Sequence, residues 1–252
     1  RGSVERSQVK LTVANPTDTA RVNEPVISGV PIPKGELANP GHARLLDGEG
    51  NPVACVITGT GVWPDGSVKW LLLDFQASVD VCSFSTYSLE YGNKVVSSGV
   101  MPGVTVEQRG EAKVVDTGAA RFEFAPAEGK PLTATLRGQA GPAVSLEGVI
   151  VAADGRRWDM QSVREATVDV EDASPLRAVV RLRGRFAGPD GPGPIEFDHR
   201  VHLFVGRAEA LIEYGFVPTA EEDSVALRRI HVRLNRNATG DARFEPDGEQ
   251  IS

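Results

Sequence analysis

Cysteine, aromatic residues and long apolar runs are all scarce in this chain, and each scarcity removes a class of protein. The two cysteines, Cys55 and Cys82, form no CxxC pair and have no metal-ligand spacing, so neither a zinc ribbon nor a thioredoxin-type redox centre is expected. Buried free thiols are the default reading of such a pair, with a disulfide across the intervening loop as the alternative. Aromatic residues are 6 % of the chain, too few for an obvious sugar-stacking platform. No apolar stretch approaches the roughly 20 residues that cross a bilayer as a helix, so no membrane partner is expected. The opening RGSVERSQ lacks the apolar core of a signal peptide and reads as a trimmed or engineered end. A basic excess is missing too. The net charge of −7 and pI near 5.2 argue against a nucleic-acid partner, which requires a basic face. There is no glycine-rich phosphate loop, HExxH or GxSxG, so no cofactor, metal ligand or catalytic residue is assigned.

Helical periodicity is nearly absent. What the chain has instead is 27 glycines and 17 prolines set between short Val- and Leu-containing runs, the pattern of many strands joined by turns. The central example is WPDGSVKWLLLDFQA, Trp63 to Ala77. Pro64-Asp65-Gly66 predicts a turn, and from Val68 both alternating sets are apolar, as in a strand covered on both faces. Trp63 and Trp70 are read as packing residues. Asp74 falls on the side of Val68, Trp70 and Leu72, where a carboxylate must find a partner.

Strands are predicted at 8–14, 24–30, 43–46, 52–58, 68–77 and 83–91. A small-residue stretch, Ser97 to Gly103, then divides the chain, placing a first domain over 8–96 and a larger one over 104–252, with its C-terminal end open. In the second domain the strongest pattern is a meander. Leu176 to Phe186 and Ile195 to Val205 flank a proline- and glycine-rich loop over 187–194, and Ala208 to Val217 follows after Gly206-Arg207. The fold class is therefore all-β, a small N-terminal barrel followed by a larger antiparallel β-sandwich.

Taken together, NPTDTARVNEPVISGVPIPKGEL, HARLLDGEGNPV and WPDGSVKWLLLDFQA resemble the N-terminal region of the exo-rhamnogalacturonan lyase-like proteins. The resemblance is strongest over Val9 to Tyr91. It implies a barrel of the riboflavin-synthase/translation-factor (RIFT) type, a central β-sandwich, and a C-terminal α/α toroid for which this sequence has no helices. It also implies a secreted or periplasmic setting and an acidic polysaccharide as partner. Such lyases need a positive group at a uronate carboxylate and a base for the neighbouring proton. The resemblance assigns that machinery chiefly to the toroid, so this portion alone is expected to be an inactive scaffold. The alternatives are a free-standing carbohydrate-binding β module and a mutarotase-like sugar epimerase, the latter drawing on His202 and Glu213 of neighbouring meander strands.

Substrate contact is expected from a basic stripe on the last strand. Arg229, His231 and Arg233 alternate there with Ile230, Val232 and Leu234, and no acidic strand follows directly. Trp158, just after the Asp154-Gly155 turn, is the tryptophan to consider for sugar stacking. A second basic face, Arg177, Arg181, Arg183 and Arg185, is read as self-paired across the meander, Arg185 with Glu196 and Arg183 with Asp198. His199 lies on the apolar face beside Phe197 and Val201 and is read as a satisfied core histidine. Asn237-Ala238-Thr239 is a bare glycosylation sequon.

Overall fold

In a computed structural model of the protein, residues 4–99, 103–141, 143–163, 165–219 and 225–236 are described. The central residues of the expected domain boundary and the sequon lie outside them. Two compact units result. The first comprises Arg1–Val106, Val170–Val180 and Val201–Leu211, and the second Glu107–Asp169, Arg181–Arg200 and Ile212–Ser252.

Seven strands form the body of the first unit: β1 Ser7–Asn15, β2 Arg21–Pro31, β3 Ala43–Asp47, β4 Pro52–Val53, β5 Cys55–Val62, β6 Val68–Val79 and β7 Ser83–Tyr91. They make two sheets, ordered β1-β7-β3-β4 and β2-β6-β5. The central strand β6 follows a turn in which the Asp65 carboxylate accepts from the Ser67 hydroxyl at 2.6 Å and the Trp63 amide bonds to the Ser67 carbonyl at 2.8 Å. One face of β6, Leu71, Leu73 and Phe75, is buried and joins Val30, Leu45, Tyr87 and Leu89 in the core.

The opposite face of β6 corrects the expectation of cover along its whole length. Trp70 is 42 % exposed rather than packed. Its ladder partners are Gly61 on β5 and Pro31 on β2, with Gly29 diagonal to it: a Cβ on Gly29 would stand 3.7 Å from its ring and one on Gly61 3.5 Å. The indole therefore extends over both flanking strands without a side chain to cover it. Farther along the same face the cover is real. Asp74, 6 % exposed, meets the Arg177 Nε at 3.1 Å, and the Gln76 amide donates to the Val205 carbonyl at 3.0 Å. Arg177 is shared with Asp172, at 2.6 Å.

The remaining strands are β8 Thr105–Arg109, β9 Ala112–Asp116, β10 Ala120–Ala125, β11 Lys130–Leu136, β12 Val144–Ala152, β13 Arg157–Asp159, β14 Ala166–Ala173, β15 Arg177–Gly188, β16 Gly191–Phe204, β17 Ala210–Pro218 and β18 Leu227–Arg236. They form one sheet ordered β17-β16-β15-β13-β12-β11-β10-β9-β8, with β14 pairing β15 and β18 pairing β12. The core of the second unit gathers Ile150, Trp158, Met160, Leu182, Phe186 and Phe197. Phe186 and Phe197 meet edge to face with centroids 5.3 Å apart.

The stretch expected as a loop over 187–194 is mostly strand. Only Pro189-Asp190 turns, and Gly191–Pro194 continues β16. Close approach explains the glycine at 193, where a Cβ would fall 2.7 Å from the Trp158 Cγ. Both thiols are free. Cys55 is buried as expected, but Cys82 is exposed, in a turn that holds it at a φ of 47°.

Candidate functional site on the outer face of the second unit

Alternation along β13 and β15 separates core from surface. Trp158, Leu182 and Phe186 point into the core, so Arg157 and Asp159 of β13 and Arg181, Arg183, Arg185 and Ala187 of β15 share the opposite face. Asp159 pairs with Ala187. This geometry corrects the stacking role expected of Trp158. The ring is 6 % exposed, closed in by the backbone at Gly188 and Gly193 and flanked by the Arg156 guanidinium 5.3 Å from its centroid, and it offers no open face to a sugar.

The stripe on β18 enters the same face from the other side of β12. Arg229 and Arg157 stand opposite Val151 on its two edges, and His231 and Asp159 stand opposite Val149. Arg233 stands opposite Glu147. The last strand thus does meet an acidic residue, supplied by β12 rather than by a following strand. Arg229 and Arg233 are exposed, while His231 is half-buried. Burial first, then the guanidinium charges of Arg233, Arg229 and Arg157, hold His231 below the ordinary histidine value. Both of its ring nitrogens are shielded from solvent without a hydrogen-bond partner among the described residues.

The meander arginines are self-paired, but in a different register from the expected one. Arg181 grips Asp198 through two bonds, Nε to Oδ1 at 2.7 Å among them, and those bonds hold the Asp198 carboxyl below its usual value. Arg183 reaches Asp169 at 3.1 Å. Arg185 pairs with no carboxylate at the expected position and donates through Nε to the Gly193 carbonyl at 2.6 Å. The two-residue turn at Pro189-Asp190 is the physical cause: closing the hairpin there brings Asp198 opposite Arg181 instead of Arg183.

Beside this face opens a cleft of about 1230 Å³. Gly188, Pro189, Gly191 and Pro192 of the hairpin end and the turn Ala127 to Gly129 line it, together with Arg157, Asp159, Gln161, Ser162, Glu165 and Arg185. Asp159 accepts from the Ser162 amide at 2.8 Å, and the Gln161 amide donates to the Leu146 carbonyl at 3.2 Å. Arg157 was not singled out from the sequence. The signal was present, since a buried Trp158 obliges its neighbours 157 and 159 to face outward. Among the described residues no group of three His, Cys, Asp or Glu side chains has metal-binding geometry.

His199 is buried as expected, at 0 % exposure, but it is not satisfied. Its ring lies among Phe197, Tyr214 and Phe216 at centroid distances of 5.5, 5.0 and 5.6 Å, and neither nitrogen has a hydrogen-bond partner among the described residues. Burial lowers its pKa to about 4.

The architecture defines an all-β protein whose second unit carries an open, mixed-charge cleft on a sheet face. Residues 10–90 match the family model described as the PcRGLX-like N-terminal RIFT barrel domain, so the first unit is built on a RIFT barrel, and the resemblance to the exo-rhamnogalacturonan lyase-like family holds over that stretch. Among solved structures, the chain is similar to a protein in glycosyl hydrolase family 38 from Enterococcus faecalis, with a TM-score of 0.58 at 12 % identity. That similarity covers 90 % of this chain and 32 % of the other, and at this identity it is a likeness of fold. No curated protein matches the chain.

Proposed function

We propose that this chain is the non-catalytic β portion of a secreted or periplasmic polysaccharide lyase-like protein. It serves as a scaffold for a further catalytic domain of the α/α toroid kind and contacts an acidic polysaccharide of the rhamnogalacturonan class. The observation that carries the reading is the match of residues 10–90 to the barrel of that family. The basic groups on the outer face of the second unit, Arg229, His231 and Arg233 with Arg157 beside them, support the anionic partner. Elimination beside a uronate carboxylate needs a base and a positive group converging on one sugar, and that task falls to the further domain.

The test is direct. Purified chain incubated with rhamnogalacturonan is expected to retain the polymer in affinity electrophoresis and to generate no unsaturated-uronide absorbance. Appearance of that absorbance, with contaminating activity excluded by a mock purification, overturns the assignment of catalysis elsewhere. Charge reversal at Arg229 and Arg233 together is expected to weaken retention, and retention at full strength removes the stripe from the contact.

A further inference from the structure

Along β15 the arginines divide into two kinds. Arg177, Arg181 and Arg183 each hold a carboxylate, Asp74 with Asp172, Asp198, and Asp169 respectively. Arg185 gives its Nε to a neutral carbonyl and has no carboxylate within ion-pair distance among the described residues. It lines the cleft. Arg157, also lining the cleft, is exposed and likewise lacks an ion pair among the described residues. The cleft's acids are partly occupied, because Glu128 pairs with Lys130 at 3.2 Å and Asp159 binds the Ser162 amide.

The two arginines flank one row. Arg157 lies two residues before Asp159 and Arg185 two before Ala187, and these two row residues are antiparallel partners. Stepping away from that row in opposite directions at about 3.3 Å per residue, their Cα atoms stand roughly 13 Å apart along the strands. A span of that length suits a chain of sugars better than a single ring, with a guanidinium toward each end, the Asp159 carboxylate on the row between them and the Gln161 amide in the same cleft. Guanidinium matches carboxylate geometry through two parallel bonds, and planar amide and carboxylate groups suit paired sugar hydroxyls.

We infer that this cleft is a binding site for an oligosaccharide bearing carboxylates, with Arg157 engaging one acidic sugar and Arg185 another, while Asp159 and Gln161 face the hydroxyls between. The inference rests on the carbohydrate reading above and goes further in naming the site and the two groups that select for charge. The experiment is calorimetric titration of the full chain with tri- and tetragalacturonate, and with the same oligomers after reduction of their carboxyls to alcohols. The acidic oligomers are expected to bind at least about tenfold more tightly than the reduced ones, and Arg157→Gln and Arg185→Gln each to lose about tenfold in affinity for the acidic form, the loss of one charge-assisted hydrogen bond. Arg183→Gln is expected to leave affinity unchanged. Arg157 is exposed and has no ion pair among the described residues, so its variant tests the site even if Arg185→Gln loosens the hairpin. Tight binding of the acidic oligomers that survives both substitutions overturns this site and leaves the carbohydrate function standing. Equal affinity for acidic and reduced oligomers overturns the charge selection. Absence of binding by either oligomer overturns this site, while the rhamnogalacturonan retention test above decides the polysaccharide contact separately.

Discussion

His199 makes the stability of this protein depend on pH in a way that one substitution isolates. Its imidazole is wholly buried between Phe197, Tyr214 and Phe216, with no hydrogen-bond partner for either nitrogen among the described residues. Burial lowers its pKa from 6.5 to about 4, with Asp198 opposing the shift only in part. The folded pKa lies below the unfolded one, so the unfolded chain takes up the proton first as pH falls. The neutral ring's contribution is therefore fully present above pH 6.5 and is lost as pH falls from there to about 4. A displacement of that size corresponds to about 3 kcal/mol between the two limits. Urea denaturation at intervals between pH 7.5 and 4.5 measures it, with wild type compared against His199→Leu, an apolar side chain of similar volume. Both proteins share the acid dependence of their carboxylates, Asp198 included, so the difference between their curves reports the histidine. Wild type is expected to lose stability relative to the variant progressively below pH 6.5. At neutral pH the variant should be no less stable, because it removes two buried, unsatisfied ring nitrogens. Parallel curves across the range would refute the reasoning, since a histidine that gains its proton without cost is not buried as described.

Two further perturbations probe the first unit. Arg177→Met leaves the buried Asp74 carboxylate without its ion-pair partner and is expected to destabilise by about 3–5 kcal/mol in urea denaturation. Asp74→Asn should cost less, because Arg177 keeps Asp172 at 2.6 Å, and the reverse order would disprove Arg177 as the group that makes Asp74 tolerable. The thiols should separate kinetically under an aromatic disulfide reagent. Cys82 is exposed and reacts in the native protein, whereas burial pushes the Cys55 thiol up to about 12 and it reacts only on unfolding. Equal native rates would contradict the burial of Cys55.

Much of the strand order was legible because its signals are local. The Pro64-Asp65-Gly66 turn and the apolar alternation after Val68 locate β6 with no knowledge of its partners, and Leu71, Leu73 and Phe75 fall on the core face that alternation requires. Asp74 was recognisable as a carboxylate in need of a partner, but alternation says nothing of what covers the outer face. That cover comes from Arg177 and the Val205 carbonyl, more than a hundred residues along the chain. The two tryptophans were read the wrong way round for the same reason. Trp70 is bared by glycines on neighbouring strands, and Trp158 is enclosed by glycine backbone on the hairpin opposite it.

Turn chemistry fails in a more specific way at Pro189 to Pro194. Every residue there is compatible with a turn, and the hairpin closes at Pro189-Asp190, which leaves Gly193 in the strand and close against Trp158. That choice moves the partner of Asp198 from Arg183 to Arg181, sends Arg183 to Asp169, and leaves Arg185 bonded to a carbonyl at the cleft. The availability of a guanidinium for a ligand thus follows from the register that the turn sets. The same logic governs the stripe on β18, whose charges acquire neighbours only when β18 pairs with β12, placing Arg229 in line with Arg157 across Val151. Arg157, Arg185 and Arg229 come from three strands far apart in sequence, and only the non-local ladder sets them on one face. A basic residue on such a sheet has no fixed meaning in its own strand: its partner, or its lack of one, is decided by register, and register is where the candidate site is made.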